Sequence, residues 1–404
     1  MSGIRLTILD DGLFVRTYAG ELRPVAATFH RFVEAVARAG PFERVRYVVP
    51  VRQLRIWEVE PALDPVDESV VEVVPTTFFS GLADYLLRAG WLLTRNWRPI
   101  DRAIADADLL WLRLPASNAP LALAAARRHR VPYFGWLAGS AAAVAGAQRR
   151  PWPMKLLARG VGAGYDAVSD LARRSGPTVT LDAELFASVV TATEVDATRA
   201  GLEAIRSRVA DEETARHEQP PWRVVWSGRM AGEKGLAELI DAVALLLERG
   251  LELTLVVIGD GPARPEYERA LARLPAGRVE DYRYVGDRPS YMKLLRRADL
   301  FVHPSRAEGV PKVLVEAMAA GLPVVAADAG SIRALLGEGE RGVVVPAGDP
   351  LALARAVDRL LADAGRRAEL RQRGLAWAAQ HTAEAQAQRL VSWLRQRFPQ
   401  LDWQ

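Results

Sequence analysis

Short apolar runs alternate with longer helical stretches along most of this 404-residue chain. Several of the runs, such as Ile4–Leu9 and Leu253–Ile258, are almost continuously apolar and rich in β-branched residues. Strands of that kind are buried on both faces, which requires helices on both sides of a parallel sheet. The chain is also too long for one ordinary core. The alternation therefore predicts an α/β protein with two Rossmann-like domains that face a central cleft.

A polar, helical segment separates the two halves of this pattern and ends in Pro220 and Pro221. Consecutive prolines after a polar run are typical of a connection between domains. We expect a first domain over residues 1–205, a linker over 206–221, a second domain over 222–380 and a terminal helix over 381–404.

Three local expectations concern the segments around the predicted strands. The glycine-containing stretch Asp10–Arg23 predicts a loop after the first strand. The periodicity of Pro24–Arg38 predicts a helix after that loop. In the second half, the apolar character of Tyr282–Val285 predicts a short strand.

The composition excludes several classes of function. The chain has no cysteine, so disulfides, thiol nucleophiles and cysteine-ligated zinc are ruled out. Its five histidines are scattered without short pairing, so we expect no metal site. A formal net charge of +4, with the arginines spread along the chain, argues against a nucleic-acid partner. The first residues do not form a signal peptide and no apolar run approaches about 18 residues, so the sequence predicts a cytoplasmic protein.

Loops rich in glycine and charge follow three predicted strands of the second half. They are Gly228–Gly235, Gly259–Pro262 and Pro304–Lys312. Because ligands of open parallel sheets bind beyond the carboxyl ends of the strands, we expect these loops to converge on one site. Arg229 and Lys234 in the first loop supply two cations that suit a diphosphate.

Two carboxylates accompany these cations. Glu308 lies in the third loop and Glu316 in the helix that follows it. Carboxylates accept hydrogen bonds from hydroxyl groups, whereas glycine-rich loops and helix starts favour a phosphate. Cations and backbone amides for phosphate, together with acids for hydroxyls, predict a site for a nucleotide sugar.

The second half resembles the C-terminal domain of the retaining GT-B glycosyltransferases of family 4, the glycosyl transferases group 1. The similarity runs from Val224 to about Asp349 and rests on several motifs in order. They are Gly228-Arg229 with Lys234-Gly235, Gly259-Asp-Gly-Pro262, Glu308-x7-Glu316, Asp328-Ala-Gly330 and Arg341–Asp349. The resemblance implies a GT-B fold, with the acceptor bound by the first domain, the nucleotide sugar by the second, and the terminal helix crossing back to the first.

The resemblance also implies roles for individual residues. Arg229 and Lys234 would hold the donor diphosphate and stabilise its charge as it leaves. Glu308 would contact the transferred sugar as the third catalytic residue, and Glu316 would accept hydrogen bonds from the ribose. The further donor contacts implied are those of Gly20, Gly228, Val285, Gly309, Val310 and Lys312. Retention of configuration, independence of metal and a UDP- or GDP-linked donor are implied as well.

The first half matches the family less closely. Gly20 is the candidate for the glycine-rich loop that follows the first strand in many members, although a plain turn glycine fits the sequence equally well. Many members also carry a histidine after a strand in the middle of this domain, and the corresponding stretch Tyr133–Ser140 has none. That contact is therefore made by backbone or another group, or the acceptor chemistry differs.

Other features have plainer interpretations. His303, which precedes Pro304 at a strand end, is interpreted as a structural residue. Mixtures of tryptophan and cations over residues 91–98 and 148–155 suit peripheral contact with the inner membrane face. The alternative is an arginine-rich surface with partly buried tryptophans.

We therefore expect a retaining glycosyltransferase that moves a sugar from a nucleotide diphosphate to a hydroxyl of a glycan, a lipid-linked acceptor or a small molecule. One alternative is a sugar-nucleotide epimerase or a phosphorylase of the same fold. An epimerase would need a further acid–base pair, and a phosphorylase would need a lysine for pyridoxal phosphate in a chain with four lysines. A third alternative, a non-catalytic arginine-rich protein that binds anionic polymers, would show clustered basic runs.

Overall fold

A mostly parallel sheet lies at the centre of each of two units. In the computed structural model, unit 1 comprises Met1–Asp182 with Gln386–Gln404, and unit 2 comprises Ala183–Ala385. The structure describes residues 3–403 except 26–28, 59, 62–64, 80–81, 138–162, 165, 173, 175, 181–219, 284, 286–287 and 309–310. Most of the predicted linker, 206–221, lies outside the described residues, and the predicted domain boundaries remain predictions.

The elements of unit 1 begin with strands and helices in alternation. In chain order they are β1 (Ile4–Leu9), β2 (Phe14–Arg16), β3 (Leu22–Pro24), α1 (Phe29–Ala39), β4 (Phe42–Gln53), β5 (Glu72–Thr77), α2 (Leu82–Leu87), α3 (Ala89–Ala105), β6 (Leu109–Leu114), α4 (Ala119–His129), β7 (Tyr133–Leu137) and β8 (Thr178–Thr180). The sheet order is β3-β2-β4-β1-β6-β7-β8, with β5 paired to β4. Within this sheet β2 and β3 are antiparallel, whereas β1 runs parallel to both β4 and β6.

Aromatic side chains fill one face of this sheet. Trp111 of β6 and Phe134 of β7 stack with their ring centroids 5.5 Å apart, and Phe32 of α1 meets Trp111 edge to face. All three are fully buried. Offset and edge-to-face ring pairs stabilise such a core beyond the burial of apolar area. The apolar strands thus have both faces covered, as their composition predicts.

Unit 2 repeats the same architecture with a sheet that is parallel throughout its described pairs. Its elements are β9 (Trp222–Ser227), α5 (Leu236–Glu248), β10 (Leu253–Ile258), α6 (Arg264–Leu271), β11 (Val279–Tyr282), α7 (Arg288–Arg296), β12 (Leu300–His303), α8 (Lys312–Ala319), β13 (Val324–Ala327), α9 (Ile332–Leu335), β14 (Val343–Val345), α10 (Pro350–Ala362) and α11 (Ala364–Ala379). The strand order is β11-β10-β9-β12-β13-β14. Strand β9 therefore lies between β10 and β12, and the residues that follow these three strands are neighbours.

The last helix, α12 (Ala383–Arg397), ends in residues that pack within unit 1. Trp393 and Phe398 lie against Phe134 with ring centroids 5.8 and 6.4 Å apart, and Trp403 meets Phe42. These ring contacts attach the C-terminal residues to the core of unit 1.

Several local expectations from the sequence were wrong. Most of the expected loop Asp10–Arg23 belongs to the hairpin of β2 and β3, because Phe14 and Val15 are apolar and buried. The helix expected over Pro24–Arg38 begins only at Phe29, because Pro24 is the last residue of β3. The expected strand Tyr282–Val285 lies earlier, at β11, because it pairs with β10 and β10 ends at Ile258, opposite Tyr282. Strand β5 was not predicted; it pairs with β4, and among the described strands with no other, an edge position at which Pro75 is tolerated.

The buried Asp10 and the half-buried Asp11 lie beyond the end of β1. Asp10 accepts hydrogen bonds from the Tyr47 hydroxyl and from Arg113, each at 2.6 Å. Asp11 accepts a hydrogen bond from the backbone N–H of Ser117, while its Oδ1 atom is buried and has no partner among the described residues. Burial raises the pKa of Asp11 from 3.8 to about 6, although the hydrogen bonds from Ser117 oppose the shift. The ionised form of Asp11 is thus disfavoured in the folded state.

This raised pKa predicts a pH-dependent stability that Asp11→Asn should remove. The folded pKa lies above the unfolded one, so stability is lost as the pH rises from 3.8 through about 6. Between pH 4 and pH 8, we expect the unfolding free energy of the wild type to fall by about 2 kcal/mol more than that of the variant. Urea denaturation at both pH values measures the difference, and an equal pH dependence of the two proteins would contradict it.

Candidate functional site

The loops after β9 and β12 meet at the carboxyl edge of the unit 2 sheet. Gly235 has a φ of +67°, and a Cβ atom there would lie 1.9 Å from the carbonyl oxygen of Pro304. The hydroxyl of Ser305 and the backbone N–H of Arg306 donate hydrogen bonds to the carbonyl of Glu233, at 3.1 and 2.8 Å. The two loops are therefore fixed against each other by close contact and hydrogen bonds.

A third loop packs on the same place. Gly330 follows β13 with a φ of +57°, and a Cβ atom there would lie 1.9 Å from the carbonyl oxygen of Glu308. Only glycine combines this left-handed conformation with such a close approach. The Asp328-Ala-Gly330 motif thus supports the backbone of Glu308.

Lys234, His303 and Glu308 meet at this edge, where Glu308 forms hydrogen bonds with the other two. The Lys234 Nζ atom lies 2.7 Å from Oε1 of Glu308, and Nε2 of His303 lies 2.8 Å from the same oxygen. The exposed fraction is 21% for the Lys234 side chain, 8% for Glu308 and 3% for His303. Because a carboxylate only accepts hydrogen bonds, Nε2 of His303 carries the donated proton. The trio holds Glu308 as an anion.

The pKa of Glu308 reflects this setting. Burial by itself raises the pKa, but the hydrogen bonds and charges of His303 and Lys234 outweigh burial and lower it from 4.5 to about 2. Glu308 therefore stays ionised and can accept hydrogen bonds at any physiological pH.

The same shift makes stability depend on pH in the opposite sense to Asp11. The folded pKa lies below the unfolded one, so the contribution of Glu308 is complete above 4.5 and is lost as the pH falls towards 2. From pH 6 to pH 3 we expect the wild type to lose about 2 kcal/mol more unfolding free energy than Glu308→Gln. Urea denaturation at both pH values measures this, with the exposed-residue variant Glu248→Gln as a control that should behave like the wild type. Equal losses in all three proteins would contradict the assignment.

Glu316 occupies a separate hydrogen-bonded position on α8. Its Oε2 atom lies 2.9 Å from the Tyr291 hydroxyl, which also lies 3.1 Å from Oγ of Ser227. Glu316 is 4% exposed. Tyr291 thus connects the carboxylate of α8 to the last residue of β9 and fixes its orientation.

Arg229 lies apart from the trio. Its guanidinium donates to Glu233 at 2.7 Å, and 63% of its side chain is exposed. An ion pair with this exposure adds little to stability. Arg229 is therefore free to exchange Glu233 for another anion at little cost to the fold.

The other residues predicted to contact the donor lie in different parts of the structure. Gly228 donates its N–H to the carbonyl of Ile258, and Val285 packs against the core of unit 2. Lys312 begins α8, whereas Gly309 and Val310 lie outside the described residues. Gly20 lies in unit 1, in the exposed turn between β2 and β3, where its φ is +87°. The turn by itself accounts for a glycine there, and a role of Gly20 in donor binding remains a prediction.

His303 and Tyr291 were missed as site residues. The sequence analysis interpreted His303 as structural, yet it is the last residue of β12 and its ring binds Glu308. Its place at the carboxyl end of a central strand was the available signal, because Ser227 ends the neighbouring strand at the same edge. Tyr291 gave no signal, since only packing brings α7 to α8.

The described part of the chain contains neither a candidate metal cluster nor a membrane-spanning helix. No group of three or more histidine, aspartate or glutamate side chains there could hold a metal ion. No helix among the described residues is both long and apolar enough to cross a membrane.

Comparison with solved structures shows the class of fold. The chain superimposes on Anabaena HepE in complex with UDP-glucose with a TM-score of 0.61, over 97% of this chain and 99% of that one, at 17% identity. Together with the two parallel α/β sheets, this match shows that the chain has the GT-B fold, which confirms the fold class predicted from the motifs.

Sequence comparison finds relatives of the second half of the chain. Residues 221–363 match the family model for glycosyl transferases group 1. Alpha-D-kanosaminyltransferase of Streptomyces kanamyceticus is 39% identical over 153 residues, which are 37% of this chain and 38% of that protein. Phosphatidyl-myo-inositol mannosyltransferase of Mycobacterium leprae is 40% identical over 131 residues, which are 32% of this chain and 34% of that protein. The chain thus spans little more than a third of the length of these curated relatives, and the similarity lies in the second half of the chain.

Proposed function

We propose that this chain is a retaining glycosyltransferase that moves a sugar from a nucleotide diphosphate sugar to a hydroxyl acceptor. The observation that carries the proposal is the pairing of Lys234 with Glu308 beside His303, at the carboxyl edge of a glycosyl transferases group 1 domain. A fixed cation next to a fixed anion suits a ligand that presents a phosphate and hydroxyl groups side by side. The HepE structure holds UDP-glucose, which is a ligand of this kind.

Lys234 serves both the protein and the donor in this proposal. Its ammonium group has three N–H donors, and Glu308 takes one of them. The others remain for oxygens of the diphosphate, joined by Arg229 from the same loop. Glu316, held by Tyr291, accepts hydrogen bonds from the ribose hydroxyls, and Glu308 accepts them from the transferred sugar.

In the reaction, the bond between C1 of the sugar and the diphosphate oxygen breaks, and its electron pair leaves with the diphosphate. The acceptor oxygen forms the new bond to C1 from the same side, and its proton passes to the departing phosphate oxygen. Negative charge therefore grows on the diphosphate, where Lys234 and Arg229 stabilise the transition state more than the ground state. Retention and independence of metal rest on the resemblance to family 4.

A panel of nucleoside diphosphates tests the donor assignment. UDP, GDP and ADP are titrated by calorimetry, and the thermal midpoint is recorded at saturating nucleotide. One of UDP or GDP should bind and raise the midpoint, because a ligand specific for the native state stabilises it. The absence of any binding at millimolar nucleotide would remove the proposed function.

We also propose that α2 and α3 contact an anionic membrane surface peripherally. Leu87 is 87% exposed and Trp91 is 49% exposed. The guanidinium groups of Arg88 and Arg95 lie 5.7 and 5.4 Å from the Trp91 ring centroid. Exposed apolar groups with adjacent arginines suit the interface of an anionic bilayer. The second predicted segment, 148–155, lies outside the described residues.

Sedimentation with vesicles tests this contact. We expect binding to vesicles that contain anionic lipid at low salt, and release at high salt because exposed charges are then screened. Trp91→Ala should bind more weakly than the wild type. No sedimentation with vesicles at low salt would end the idea.

A further inference from the structure

A cavity of about 500 Å³ opens in unit 1, and none of the residues assigned to the donor lines it. It lies between the carboxyl ends of β4 and β5 and the middle of α3. Its polar lining consists of Arg52, Thr76, Thr77, Arg95 and Asn96. These strands are parallel, and ligands of such sheets bind beyond the carboxyl ends of the strands.

The lining is cationic. Two guanidinium groups line the cavity and no carboxylate does. Glu58 pairs with Arg52 but is not part of the lining. Arg95 makes no ion pair within the described part of the chain, and its guanidinium lies over the ring of Trp91. The charge of Arg95 is therefore available to an anion in the cavity.

The wall of the cavity holds a buried hydroxyl without a partner. Thr76 is 5% exposed, and its Oγ1 atom makes no hydrogen bond to the described residues. An unpartnered buried hydroxyl is unfavourable in the folded state, so this end of β5 is a place where the protein forgoes a hydrogen bond.

The backbone beside this hydroxyl is fixed by Asn96. The fully buried Asn96 accepts a hydrogen bond from the Thr77 N–H at 2.8 Å and donates one to Asn118 at 3.2 Å. The end of β5 is thus tied to α3, and the cavity is held open by defined contacts.

We propose that this cavity binds an anionic group, a phosphate or a carboxylate, carried by the acceptor. The proposal rests on the proposed function, which places the acceptor in this unit. Arg95 supplies the charge, and Arg52 supplies further N–H donors at the other side of the lining. A positively charged site with several donors discriminates against a neutral sugar at the same position.

Titration of the full chain with inorganic phosphate tests the cavity, by calorimetry with and without a saturating amount of whichever nucleotide, UDP or GDP, the binding panel selects. Phosphate should bind in both cases, since that nucleotide fills the donor site in the second. Arg95→Gln should weaken phosphate binding by about tenfold. Arg102→Gln removes the same charge from an exposed position on the same helix, outside the lining, and should bind phosphate like the wild type.

Binding of charged and neutral sugars tests whether the cavity recognises the anionic group of an acceptor. Glucose 6-phosphate should bind more tightly than glucose. Comparing the affinity of glucuronate with that of glucose 6-phosphate distinguishes a site for a carboxylate from a site for a phosphate. Phosphate binding that the selected nucleotide abolishes, or that Arg95→Gln leaves unchanged, would overturn the proposal. Failure of both UDP and GDP to bind would instead count against the proposed function, and the comparison of Arg95→Gln with Arg102→Gln would still test the cavity.

Discussion

Lys234→Ala is expected to lower turnover by about 10²–10³-fold while the protein stays folded. The ammonium group of Lys234 is the half-buried cation of the site, and its loss removes charge stabilisation that matters most as the diphosphate departs. Initial rates with the nucleotide sugar that the binding panel selects measure the effect. A thermal melt checks that the fold is retained, as His303 still pairs with Glu308 in the variant.

Lys293→Ala is the matched control, because it removes another lysine of unit 2 from an exposed position on α7. It should turn over at the wild-type rate. Arg229→Ala should also lose most activity, with little change in stability because its ion pair is exposed. Near-wild-type turnover of Lys234→Ala would contradict the role assigned to the cation.

Glu316→Gln is expected to weaken binding of the nucleoside diphosphate by about 10–100-fold. The substitution keeps the shape of the side chain but removes the charge that strengthens hydrogen bonds from the ribose. Calorimetric titration of the nucleotide measures the change in Kd.

Glu248→Gln is the control for this variant, because Glu248 is exposed at the end of α5. It should bind the nucleotide as tightly as the wild type does. An unchanged Kd in Glu316→Gln would show that Glu316 serves α7 and α8 packing through Tyr291 and not the donor.

The layered fold could be predicted from the sequence because a strand that is buried on both faces consists almost entirely of apolar residues. Leu253–Ile258 and Leu300–His303 have the bounds that the pattern indicated. Prediction was weakest where pairing partners set the limits of a strand. Strand β11 ends at Tyr282, opposite Ile258 at the end of β10. The local sequence of β11 gives no information about where its partner strand ends.

The same distinction applies to the site. By itself, the sequence determined that Lys234 and Glu308 lie in loops at one edge of a parallel sheet, because strand ends and glycine-rich turns are local features. Only the tertiary structure decided that Lys234 and His303 share one oxygen of Glu308, and that Arg229 remains on the exposed rim. Those contacts join residues of different strands and depend on the strand order, which side-chain packing across the whole sheet selects and no single segment encodes.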